Sequence, residues 1–75
     1  MNLAELKVGG SGRVARVSAP AAVRRRLMDM GLLAGEVVRL EKVAPLGDPL
    51  EVALRGYRLS LRKSEAAGVE LEPAP

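Results

Sequence analysis

Histidine and cysteine are both missing from the 75 residues, and Tyr57 is the only aromatic side chain. Without cysteine there are no disulfides, no thiolate metal ligands and no sulfur nucleophile. Without histidine, acid–base chemistry near neutral pH and soft metal ligation lose their usual groups. Carboxylates remain, but Asp29, Asp48 and the glutamates at 36, 41, 51 and 65 show no spacing that converges two of them. Ser11, Ser18, Ser60 and Ser64 have no base to activate them. The Gly9-Gly10-Ser11-Gly12 run lacks the Gly-Lys-Ser/Thr ending of a phosphate loop and is expected to be a turn. These absences predict a chain that is not an enzyme, takes no cofactor or small-molecule substrate, and holds no metal. Its function is then expected to come from contacts with a partner. The N-terminal residues lack a basic stretch followed by an apolar run, and no apolar segment approaches the roughly 20 residues of a membrane span, so a cytoplasmic protein is expected.

Hydrophobic residues make up 48% of the chain and net charge is +3, with nine arginines against three lysines. The core must be built from Leu, Val, Ala and Met. A mild basic excess is a weak footprint for nucleic acid, and one tyrosine offers at most one stacking platform. Nucleic-acid binding through the arginines is therefore a competing reading, not the leading one.

The order of signals predicts five short strands and one helix. Arg13–Val17 reads as a strand in which Val14 and Val17 are out of phase, so a bulge near Ala15-Arg16 is expected if both face the core. Ser18 is the expected cap of a helix over Pro20–Met30, whose Val23, Leu27 and Met30 form one apolar stripe and which ends at Gly31. Glu36–Ala44 is the second strand, with a second irregularity expected near Lys42 to bring Val43 inward. Leu50–Leu54 and Tyr57–Leu61 alternate about an Arg55-Gly56 turn and read as a hairpin. Ser64–Gly68 is one helical turn, Val69–Leu71 a last strand, and Glu72–Pro75 a frayed tail. The expected inward set is Val14, Val17, Val38, Leu40, Val43, Leu50, Val52, Leu54, Leu59, Leu61, Val69 and Leu71. A β-rich chain this short most economically curls its sheet into a small barrel with the helix over one end, a single domain over residues 1–72.

Two features are candidates for contact. Arg24, Arg25 and Arg26 form the densest positive patch, beside the apolar helix end of Met30, Leu32 and Leu33. The loop Pro45-Leu46-Gly47-Asp48-Pro49 is stiffened by two prolines, so its docking costs little order. Leu46 either projects from its tip or folds back over the barrel mouth. An open sheet edge and such a loop also allow weak self-association.

Taken in order, Arg25-Arg26-Leu27-Met28-Asp29-Met30-Gly31-Leu32, Gly35, Ala44-Pro45-Leu46-Gly47-Asp48-Pro49, Leu59-Ser60-Leu61-Arg62 and Glu65-Ala66 resemble the FeoA family of bacterial ferrous iron transport. The resemblance runs from about Leu3 to Leu71. It implies an SH3-like barrel and an accessory role in ferrous iron uptake, with docking onto the FeoB-type membrane permease that carries a cytosolic GTP-binding domain. The same domain looks like the SH3-like module of some metal-dependent repressors, which keeps a metal-responsive regulatory domain as an alternative. Iron enters only through the resemblance.

Overall fold

The computed structural model describes residues 1–73. After a short 3₁₀ turn at Leu3–Glu5 the elements are β1 (Ser11–Val17), α1 (Ala21–Asp29), β2 (Val37–Val43), β3 (Leu50–Leu54), β4 (Tyr57–Leu61), α2 (Lys63–Ala66) and β5 (Val69–Pro73). All five strands are antiparallel in one sheet of order β4-β3-β2-β1-β5. The expected mainly β, SH3-like architecture, with its helix between the first two strands, is the one observed.

Both irregularities expected from the valine spacing are present. The β1–β5 register shifts between Val14 and Arg16, leaving Ala15 as the extra residue. Val14 is then fully buried while Val17 packs against the core from its margin. In β2 the shift falls between Leu40 and Lys42 and gives Val43 the inward register opposite Leu50. Val43 nevertheless stays 37% exposed. It is the last residue of its strand, so it lines the rim and not the core.

The core joins the sheet's inner face (Val14, Val38, Leu40, Val52, Leu61, Val69) to Leu27 of α1, Ala66 of α2 and Leu3. Ala66 and Leu3 come from segments whose single helical turns have no periodicity to expose them. The Arg55-Gly56 turn has φ of 49° and 83°, the left-handed pair that a two-residue hairpin of type I′ needs.

Among the differences from expectation are two strand ends and one helix cap. Ser11 and Gly12 are in β1, where Gly12 pairs with Pro73 and sits against Leu71, too close for a side chain. Glu72 and Pro73 are in β5 and not in a frayed tail; Ala74 and Pro75 lie outside the described residues. Ser18 does not cap α1, because its hydroxyl donates to a Glu70 carboxylate oxygen at 2.7 Å. The same carboxylate takes Arg16 Nε at 2.8 Å, joining β1 to β5 on the outer face.

The Arg16 hydrogen bond, helped by Ser18, holds the Glu70 carboxyl below its ordinary range. A depressed carboxylate stabilises the fold above its unfolded value of about 4.3, and that contribution is lost as pH falls through the lower folded value. Arg16→Ala should therefore flatten this loss: its melting temperature should fall less than the native chain's between about pH 6 and about pH 3. Thermal melts at low salt check this. Both partners are exposed, so the difference should shrink as salt is added.

Candidate docking surface

The loop between β2 and β3 is a turn with a projecting apolar tip. Gly47 N–H donates to Ala44 C=O at 2.8 Å, closing a four-residue turn with Pro45 and Leu46 at its centre. Proline suits the second position of such a turn because its fixed φ is already the one required. Ala44 N–H also donates to Pro49 C=O at 3.0 Å, which closes the base. The Asp48–Pro49 peptide is cis. From outside, Asp48 Oδ1 accepts Lys63 N–H at 2.9 Å and so satisfies a free donor in the first turn of α2. The turn is thus braced at its base and again from α2. Leu46 has nothing above it: it is 97% exposed, projecting and not plugging the barrel.

Beside the tip runs a groove of about 300 Å³ lined by Val43, Ala44, Pro45 and Pro49 together with the polar Lys42, Glu51 and Ser60. Arg62 adjoins Asp48 and Pro49 on the other side of the loop.

The helix candidates divide. Arg24 and Arg25 are exposed and carry no ion pair among the described residues, whereas Arg26 is bound to Glu65 of α2. Arg24 and Arg25 line a separate concavity with Ala21, Ala22, Met28 and Asp29, one that shares no residue with the loop groove. The arginine triplet and the proline loop are therefore two surfaces with α2 between them, touching α1 through Glu65 and the loop through Lys63.

Leu32 must be removed from the candidate surface. Gly31 takes φ of 102°, its N–H donates to Met28 C=O at 2.9 Å, and Leu32 N–H reaches back to Leu27 C=O at 3.1 Å. This Schellman ending folds Leu32 onto Leu27, and both are completely buried. Leu33, one residue on, points outward at 44% exposure. Met30 is half-buried, and its carbonyl accepts the Tyr57 hydroxyl at 2.7 Å. The one aromatic ring thus ties the β3–β4 hairpin to the helix end.

Among the described residues no three His, Cys, Asp or Glu side chains gather where they could hold a metal ion, and no helix is long and apolar enough to cross a membrane.

The fold defines a class, a small SH3-like β domain. Its family follows from residues 1–73, which match the FeoA domain model: the chain belongs to the FeoA family. It is 35% identical over 72 residues to the Fe(2+) transport protein A/Fe(2+) transporter FeoB fusion protein of Porphyromonas gingivalis, spanning 96% of this chain and 8% of that protein. The solution structure of the FeoA protein from Chlorobium tepidum superposes with a TM-score of 0.92 at 45% identity, over 100% of this chain and 71% of that one. The zinc-complexed FeoA of Stenotrophomonas maltophilia, described as an SH3 domain protein, gives 0.85 at 38% identity over 96% of this chain and 89% of that one. The family is associated with ferrous iron transport.

Proposed function

We propose that this chain is an accessory component of ferrous iron uptake with no reaction of its own, acting from the cytoplasmic side by docking onto a FeoB-type transporter. The observation that carries the reading is Leu46, a fully presented leucine on a turn braced from two directions. A rigid apolar tip loses little conformational freedom on binding, and sheltering it from water recovers about 1.5–3 kcal/mol. The fusion of the two modules in the Porphyromonas relative supports the choice of partner.

The test is a titration of the chain against the FeoB-type transporter of the same organism, as its cytosolic domain and as the whole membrane protein, with and without guanine nucleotide. Leu46→Asp should weaken binding about tenfold to a hundredfold, the loss of one buried leucine. Its melting temperature should be unchanged, because the side chain touches nothing in the free chain. No binding to either form under any nucleotide condition would refute the reading.

A further inference from the structure

The two sides of the sheet end differently. At β5 the outer edge is already occupied: Leu71 N–H donates to Met1 C=O at 2.7 Å, and Asn2 bridges Glu70. At β4 no second strand pairs with the outer edge among the described residues. The hairpin register decides which groups are left over. A two-residue turn makes Leu54 and Tyr57 the bonded pair, so Tyr57, Leu59 and Leu61 direct their N–H and C=O groups at β3. Those of Arg58 and Ser60 point the other way.

The side chains along this edge carry a definite charge. Arg58, Ser60 and Arg62 follow at alternate positions and are all exposed. Arg58 is shared between Glu41 and Glu51, and Arg62 has no ion pair among the described residues. The groove of Val43, Pro45 and Pro49 reaches Ser60 and also takes in Glu51, which is itself paired with Arg58. A second copy of β4 is a poor occupant: symmetric antiparallel pairing about Ser60 would set Arg58 against Arg62 twice, and like charges directly opposite repel. A strand bearing a carboxylate opposite Arg62, the arginine of this edge without an ion pair among the described residues, is attracted instead.

We infer that the free edge of β4 is a strand-addition site for an extended acidic segment of a protein partner. The segment bonds to the backbone of Arg58 and Ser60, sets a carboxylate against Arg62, and lays an apolar side chain toward Val43, Pro45 and Pro49. Main-chain pairing supplies affinity in such sites, and alternate side chains supply specificity. The inference deepens the docking proposed above and rests on it, adding how the partner is held.

The decisive measurement is amide hydrogen exchange of the intact chain, free and saturated with the FeoB-type transporter. The Arg58 and Ser60 amides should exchange at least about tenfold more slowly in the complex. Ser60→Pro deletes a donor that no ladder bond uses, which an edge strand tolerates. It should weaken transporter binding about tenfold or more, whereas Ser60→Ala, which keeps the N–H, should bind within about twofold of the native chain. Binding with unchanged exchange at both amides, or full-affinity binding by a folded Ser60→Pro chain, overturns strand addition and leaves docking standing. Failure of the native chain to bind overturns both.

Discussion

Gly31→Ala is expected to lower the free energy of unfolding by about 2–4 kcal/mol, combining backbone strain with a lost hydrogen bond. Gly31 sits at φ of 102°, which a side chain rarely adopts. A Cβ built there would also collide with the Tyr57 hydroxyl, which donates to Met30 C=O one residue earlier. One methyl group therefore strains the helix stop and evicts the hydroxyl that joins helix to hairpin. The two effects can be separated. Tyr57→Phe alone should cost about 0.5–1.5 kcal/mol, the net worth of one hydrogen bond. The double variant should cost less than the two singles added, because the hydroxyl bond is lost only once and the missing oxygen makes room for the methyl; what remains is that lost bond and the strain at φ. Urea unfolding of the four chains closes the cycle; strict additivity would show that the collision is relieved in some other way.

Leu32→Ala should be at least as damaging, at about 2–5 kcal/mol, as expected for deleting most of a fully buried leucine. At about 0.05–0.15 kcal/mol per residue, a domain of this size has about 4–11 kcal/mol in hand, so the loss is a large share of it. The melting temperature should drop by about 10 °C or more. Leu33→Ala, at a neighbouring position that is 44% exposed, should cost less than about 1 kcal/mol. Adjacent leucines thus separate cleanly. Loss of partner binding in the first variant would reflect unfolding, while loss in the second would report contact.

The Leu32 and Leu33 pair shows where sequence reading stops. The glycine stop after Met30 was legible, because glycine after an apolar stripe is the signature of a left-handed ending. Which of the following leucines turns back was not. It depends on the bond from Leu32 N–H to Leu27 C=O, which exists only once the helix is complete. The valine spacings announced both bulges, since an out-of-phase residue in a half-buried strand requires an extra one. How far the core extends beyond the bulge is a tertiary matter, and Val43 lies past it. At the candidate surface, the prolines announce a stiff loop, yet the sequence is compatible with either placement of Leu46, and the fold takes the exposed one. The role of α2 as a bridge between Arg26 and the loop had no local signal, because a four-residue helix takes its position from its contacts. The edge at Arg58 and Ser60 was likewise hidden. Alternation identifies a strand without telling whether a neighbour lies on both sides.

The first two residues have a consequence for solubility that their modest role conceals. The edge they cover belongs to a strand carrying Glu70 and Glu72, while the uncovered edge at the far end of the sheet carries Arg58 and Arg62. Were Met1 and Asn2 to peel away, each molecule would present two open strand edges, one bearing Glu72 and the other Arg62 as side chains without an ion pair among the described residues. Opposite sides of successive molecules would then match head to tail, a geometry that does not close on itself and grows as a filament. With Met1 and Asn2 in place, β5 offers no such side, and the edge of β4 is the open one among the described residues.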